Sequence, residues 1–178
     1  MITEHVRDAA ATAFVFGFFA TSWFGWAQEA PPKRWRPVLI AGSVLSVLTA
    51  AAGALFAGRH WSDGTAFDAD TSPTFGIVVG IEFGVAAIGA GLLALVRRNE
   101  LAAPWVALVV GVHLFPVAAL IDYPLIHLVA VLVTVVALAA VPVARARAVA
   151  VSAVVGLGTG GVLLVAAVAS LLIALLAY

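Results

Sequence analysis

The sequence contains no cysteine and very few charged side chains. Charged residues make up 10% of the 178 residues, whereas hydrophobic residues make up 64%. Without cysteine there are no disulfides, thiolate metal ligands or thiol redox groups, and quinone–disulfide exchange is excluded with them. With so few polar side chains the chain cannot cover the surface of a soluble globule. The composition therefore indicates an integral-membrane protein.

A net charge of zero also removes the basic surface that nucleic-acid binding requires. What the sequence has instead is six long apolar stretches, each near or above the roughly 20 residues that cross a bilayer as a helix. They run over about 9–28, 37–57, 73–96, 102–121, 124–143 and 148–177. Together they use nearly the whole chain, so we expect one all-α membrane domain, residues 1–178, with its six transmembrane helices arranged as three hairpins.

The basic residues predict how these helices are oriented. Seven of the nine lie in alternate gaps between the stretches: Lys33, Arg34 and Arg36 in the first, Arg97 and Arg98 in the third, and Arg145 and Arg147 in the fifth. Because basic loops stay in the cytoplasm, these gaps are predicted to be cytoplasmic and both termini extracytoplasmic. We expect a multi-pass protein of the cell membrane.

Glu82 is the one carboxylate deep inside a predicted span. Intramembrane acids usually face the bundle interior or a wet cavity and are functional. Glu82 lies roughly 13 Å below the external start of the third span, and His113 lies roughly 12 Å below the external end of the fourth. We therefore predict a catalytic or titrating pair within hydrogen-bond or one-water reach. The alternative is a protonated Glu82 bonded to a backbone carbonyl.

Other polar groups are predicted to line the same cavity. Thr49 and, less closely, Thr134 reach the depth of Glu82, and His127 lies nearer the external surface. The cavity is expected to open outward beside Asp122 and Tyr123. The competing interpretation is that the hydroxyl groups bond back to their own helices.

An aromatic stripe on the first span includes Trp23. It comprises Phe16, Phe19, Trp23 and Trp26. Facing inward, the stripe would form a ligand-binding wall able to stabilise a cationic group. Facing outward, it would be a surface for lipid or for a second subunit.

Three further patterns resemble cofactor or metal sites, but each lacks a feature that such a site requires, so we expect no cofactor and no metal. Gly156, Gly158 and Gly161 fit a dinucleotide motif but lie inside an apolar span with no preceding strand. An acidic loop, with Asp63 among its residues, lacks the ligand spacing of a calcium loop. His113 and His127 lie at unequal depths, which disfavours haem ligation between them.

Three functional classes remain open, and whether the protein is an enzyme is one of the open questions. So few polar groups exclude large hydrophilic substrates, so the expected ligand is a hydrophobic or amphiphilic small molecule. The leading prediction is a proton-linked carrier with Glu82 and His113 as the titrating pair. The alternative is an intramembrane acid/base enzyme of isomerase, cyclase or hydrolase type, acting on a lipid or isoprenoid with Glu82 as general acid or base. The third is a non-catalytic membrane subunit.

A ridge of small residues on the third span predicts close helix packing. Gly76, Gly80 and Gly84 repeat at four-residue steps and are continued by Ala87 and Gly91. Such ridges let helix backbones approach closely in lipid. Glu82 points almost directly away from Gly80 and Gly84, so the ridge must face a different neighbour. The prediction is a homodimer through this ridge; the alternative is another helix of the same chain.

Overall fold

The computed structural model describes residues 4–176, which form six long α-helices and two short 3₁₀ turns. The helices are α1 (Val6–Ala27), α2 (Arg36–Arg59), α3 (Thr71–Leu95), α4 (Ala102–Leu120), α5 (Pro124–Arg147) and α6 (Val151–Leu176), and the turns are Lys33–Trp35 and Asn99–Leu101. With its flanking turn where it has one, each helix is long and apolar enough to cross a membrane. The predicted all-helical architecture, with six helices long and apolar enough to span a membrane, is thereby confirmed. Residue 177, the predicted end of the last span, lies outside the described residues.

Two of the helix ends that differ from the predicted spans carry charges that favour the observed boundary. Helix α1 begins earlier, at Val6, and holds Asp8 in its first turn. Helix α5 extends later and carries Arg145 and Arg147 in its last turn, and it is followed by Ala148, which has a φ of 51°. Acidic groups near a helix start and basic groups near its end both interact favourably with the helix dipole. These charged residues, which the sequence analysis placed outside the spans, therefore belong to the ends of helices.

Helix α1 lies between α2 and α6 and packs closely on both. Its contact with α2 depends on Gly17, where a Cβ atom would come within 2.9 Å of the Ser46 carbonyl oxygen and the Ala50 nitrogen. On α6, Gly156 packs in the same way against the backbone of Ala27. Backbone approach of this kind is a main source of helix association in lipid. These contacts make α1, α2 and α6 one tightly packed unit.

Helices α4 and α5 form a second packed pair that contacts α6. Gly111 of α4 packs against Thr134 of α5. Where α5 begins, the Tyr123 hydroxyl lies 3.0 Å from the Ser170 hydroxyl of α6, and both side chains are buried. This buried hydrogen bond fixes the start of α5 against the final turns of α6.

Helix α3 is the least packed helix. None of its residues is buried, and among the described elements its substantial contacts are with α4 and the adjoining turn Asn99–Leu101. The contact is closest where Trp105 packs on Gly89 and donates a hydrogen bond from its indole nitrogen to the Val85 carbonyl, at 3.3 Å. Because α3 is anchored mainly on α4, a gap remains between α3 and α1.

The connection from α2 to α3, residues 60–70, crosses the end of the bundle at which α1 begins; we call this end the terminal end. The Arg7 guanidinium donates to the Trp61 carbonyl at 2.9 Å and lies 3.8 Å over the Trp61 ring. The Asp68 carboxylate accepts hydrogen bonds from the backbone N–H groups of Thr71 and Asp70. These bonds, that of Thr71 foremost, lower the pKa of Asp68. Both ends of the connection are thus fixed to helix starts.

Candidate functional site

The gap between α1 and α3 is an elongated cavity of about 400 Å³, which we call the groove. One face of α1 forms a wall of the groove, with residues recurring every three or four positions as a helix face requires: Asp8, Thr12, Phe16, Phe19, Trp23 and Trp26. From Asp8 to Trp26 this wall is about 27 Å long, close to the thickness of a hydrocarbon core. The groove therefore follows the helices across most of the expected membrane depth.

The predicted aromatic stripe of α1 faces this groove. Phe16 and Trp23 are each 5% exposed, and the rings of Trp23 and Trp26 stack with their centroids 5.4 Å apart. Of the two orientations left open by the sequence, the structure has the inward one. The stripe, including Trp23, forms a wall of the groove.

Glu82 of α3 and His113 of α4 meet across the groove. The His113 Nε2 atom lies 3.2 Å from the Glu82 Oε2 atom, and the side chains are 16% and 13% exposed. Both residues line the groove. The predicted contact between them is confirmed, and its origin is the equal depth of the two residues on neighbouring antiparallel helices.

The hydrogen bond made by the other ring nitrogen of His113 indicates which protonation states suit the contact with Glu82. His113 Nδ1 lies 3.3 Å from the Val110 carbonyl, which can only accept a hydrogen bond, so Nδ1 carries a proton. In the neutral ring Nε2 then carries no proton, so its contact with Oε2 is favourable when one proton lies on either of the two atoms. That proton belongs either to a neutral carboxylic acid beside a neutral imidazole or to an imidazolium beside a carboxylate. In both forms the pair as a whole is uncharged.

Five predicted site residues lie outside the groove, which corrects the predicted cavity. Thr49 lies on the buried face of α2, and no α2 residue among those described lines the groove. The Thr134 hydroxyl donates to the Ala130 carbonyl at 2.8 Å, within the contact between α4 and α5. His127 is exposed beside Phe115. The depth of a residue did not place Thr49, Thr134 or His127 in the groove, because depth does not fix the direction in which a helix presents a residue.

Asp122 and Tyr123, which were predicted to flank the opening of the cavity, do not themselves line the groove. Asp122 is exposed in the turn between α4 and α5, with a φ of 47°. Tyr123 is fully buried in its hydrogen bond to Ser170. At the terminal end the groove is bordered by Asp8, Phe67 and Phe75, and by Ile121 and Ile126, which lie on either side of Asp122 and Tyr123 in the sequence.

Asp8 is the site residue that the sequence did not reveal. It is 3% exposed, and its carboxylate accepts hydrogen bonds from the Thr65 hydroxyl and the Ala66 backbone N–H, both at 2.7 Å. These bonds hold the 60–70 connection over the groove. The sequence offered one signal, because Asp8 lies on the same helix face as Thr12 and Phe16.

The groove contains acids but no base stronger than histidine. Among residues 4–176 its titratable lining groups are Asp8, Glu82 and His113, and no Lys or Arg lines it. Over the same residues, no three His, Asp or Glu side chains come together in a way that would hold a metal ion. The chemistry available in the groove is therefore proton binding and hydrogen bonding within an aromatic wall.

Comparison of the chain with family models, with curated proteins and with solved structures finds no match. The functional assignment therefore depends on the geometry of the groove and of the Glu82–His113 pair.

Proposed function

We propose that this protein is a proton-linked carrier of the cell membrane that binds a hydrophobic or amphiphilic small molecule in the groove. The observation that carries the proposal is the contact between Glu82 and His113 inside an elongated aromatic cavity. A proton-binding pair and a space for an apolar ligand then occupy the same place. Coupling of proton and ligand needs that coincidence.

The shape of the groove supports a long or flexible apolar ligand. Its volume lies within the usual range for small-molecule sites, and its walls are mainly aromatic and aliphatic. Its length along α1 matches a molecule that lies parallel to lipid chains. Polar substrates such as sugars would find too few partners along this lining.

The packing of α3 supports alternating access. A carrier must open its site to each side in turn, and rigid movement of one element against the others is the usual means. Helix α3 has no buried residue and is anchored mainly on α4, whereas α1, α2 and α6 are packed through their backbones. In this proposal α3 moves against α1, and the 60–70 connection opens the terminal end, which the basic residues predict to be external.

A second candidate is an intramembrane acid/base enzyme acting on a lipid or isoprenoid. The observation in its favour is the stacked pair Trp23 and Trp26, since aromatic faces stabilise a carbocation. Glu82 would then serve as general acid or base, with His113 as its hydrogen-bond partner. The two candidates differ in one outcome: an enzyme releases a chemically altered ligand and a carrier releases it unchanged. A non-catalytic subunit, the third class, would bind no ligand in the groove.

The proposal includes a homodimer through the ridge of α3. A Cβ atom at Gly76, Gly80 or Gly84 would meet nothing within 4 Å, so among the described residues the ridge packs against no other helix. A second copy of the chain would cover these glycines and leave Glu82 facing the groove. Such a seam would also support the least packed helix.

Ligand binding in the groove can be tested with N-phenyl-1-naphthylamine, a neutral apolar fluorophore, added to the protein in lipid nanodiscs. We expect saturable binding with energy transfer from Trp23 and Trp26. Ala86→Phe, which fills the groove, should abolish it, whereas Ala94→Phe, on an exposed part of the same helix, should not. Equal binding by both variants would show that the probe binds elsewhere and would contradict the proposal.

A further inference from the structure

The charges around the groove favour one sign of ligand. Glu82 and Asp8 supply carboxylates, and no Lys or Arg lines the groove within residues 4–176. The remaining lining from the 60–70 connection, α5 and α6 is apolar: Phe67, Ile126 and Leu163. Moving an anionic head group from water into the groove would place it near carboxylates with no cation to compensate its charge. This transfer is strongly unfavourable at low dielectric constant. A cationic head group would be attracted.

The contacts of His113 lead to the same conclusion. With Nδ1 donating to Val110, loss of the proton held by the pair leaves two unprotonated acceptors, Nε2 and Oε2, 3.2 Å apart. Glu82 then carries a negative charge with no cation beside it among the described residues. A positively charged ligand beside Oε2 would neutralise that charge. Proton and cation would thus be alternative occupants of one site.

Aromatic rings lie at the depth at which this exchange would occur. Glu82 is about 16 Å along α3 from Thr71, and Phe16 is about 15 Å along α1 from Val6, so the two lie at a similar level of the bundle. Phe19 and Trp23 continue the same wall. Aromatic faces attract organic cations, and they do so more strongly where water is excluded.

We propose that the ligand of the groove is a lipophilic organic monocation that exchanges with the proton shared by Glu82 and His113. This inference rests on the proposed carrier function and specifies its substrate class. When the cation binds, the shared proton leaves to water at the terminal end, and the Glu82 carboxylate pairs with the cation while His113 stays neutral. The charge of the site is zero before and after the exchange, so neither occupant leaves an unpaired charge in the membrane.

The test uses three amphiphiles with the same ten-carbon chain and compact head groups of different charge: decyltrimethylammonium, dimethyldecylphosphine oxide and decanesulfonate. Each is titrated against bound N-phenyl-1-naphthylamine in nanodiscs. We expect Glu82→Gln to weaken displacement by the cation by at least about tenfold and to leave displacement by the neutral compound unchanged. Glu100→Gln, an exposed acid at the opposite end of the bundle, should behave as wild type. Comparing variants with the same compound cancels its partition into lipid.

The pH dependence of the wild type is a second, independent readout. Because proton and cation compete, displacement by the cation should weaken as the pH falls, by up to about tenfold per pH unit. The titratable group that faces Glu82 is His113, whose protonation also weakens cation binding, and Asp8 lines the groove about 12 Å nearer the terminal end. Displacement by the neutral compound should not change with pH.

The outcomes separate this inference from the proposed function. Suppose that the fluorophore binds in the groove but wild type and Glu82→Gln respond equally to the cation, or that decanesulfonate is the best competitor. Either result would show that the ligand is not a monocation, while ligand binding in the groove would still hold. If the fluorophore does not bind in the groove at all, the proposed function fails first. If the cation displaced the fluorophore more strongly as the pH falls, the proposed exchange of cation for proton would also be wrong.

Discussion

Asp8→Asn should release the connection that covers the terminal end of the groove. The Asp8 carboxylate accepts two hydrogen bonds at 2.7 Å, one from the Thr65 hydroxyl and one from the Ala66 N–H, while being 3% exposed. Asparagine has nearly the same shape but only one acceptor oxygen, and its NH₂ group would face one of the two donors. The substitution therefore removes two hydrogen bonds to a carboxylate and restores at most one neutral bond.

The size of the effect follows from these bonds. A hydrogen bond to a charged group contributes roughly 1.5–3 kcal/mol, against about 1 kcal/mol for a neutral one, so the connection should lose about 3 kcal/mol of local stability. Since each 1.4 kcal/mol is a tenfold change in an equilibrium constant, opening should become roughly a hundredfold more frequent. Amide hydrogen exchange at Ala66 and its neighbours reports that opening directly.

A matched control lies in the same connection. Asp63 pairs with His60 at 2.6 Å, but its side chain is 47% exposed, so Asp63→Asn should change local stability by less than about 1 kcal/mol. Hydrogen exchange of peptides covering residues 60–70, measured by mass spectrometry in nanodiscs, would compare both variants with wild type. Unchanged exchange in Asp8→Asn, or equal acceleration in both variants, would refute the role assigned to Asp8.

Three further predictions concern topology, packing and assembly. Because the chain lacks cysteine, Asn99→Cys and Asp63→Cys each introduce a unique thiol; an impermeant maleimide outside intact cells should label only the second, and labelling of the first would reverse the predicted orientation. Thr159 has a buried hydroxyl with no partner among the described residues, so Thr159→Val should raise unfolding stability by about 1 kcal/mol, and a loss would show a hidden partner. Gly80→Leu combined with Gly84→Leu should dissociate the dimer in detergent without altering fluorophore binding; an unchanged oligomeric size contradicts the proposed seam.

The helices and the Glu82–His113 contact could be predicted because both depend only on position along the helix axis, which is the depth in the membrane. Length and hydropathy define a span, and the fixed rise of an α-helix gives the depth of each residue along it. Glu82 and His113 lie on consecutive antiparallel helices, so equal depth was enough to bring them together. Neither inference required knowledge of how the six helices surround one another.

The other residues of the groove could not be predicted, because the sequence does not give the direction in which each helix presents its side chains. Thr49 and Thr134 have suitable depths, but Thr49 lies on the buried face of α2, which does not line the groove, and Thr134 lies in the contact between α4 and α5. Asp8 is buried by a connection far away in the sequence, and loop conformation is not contained in hydropathy. Residues placed by depth alone were therefore reliable only where their helices are neighbours along the chain.

In the proposed function, Glu82 couples a proton to the ligand of the groove. The most direct measurement uses proteoliposomes that contain the pH dye pyranine and receive external decyltrimethylammonium. We expect a protein-dependent fall in internal proton concentration as the cation enters, which should be absent in Glu82→Gln and present in Glu100→Gln. An equal pH response in wild type and Glu82→Gln would contradict proton coupling through Glu82.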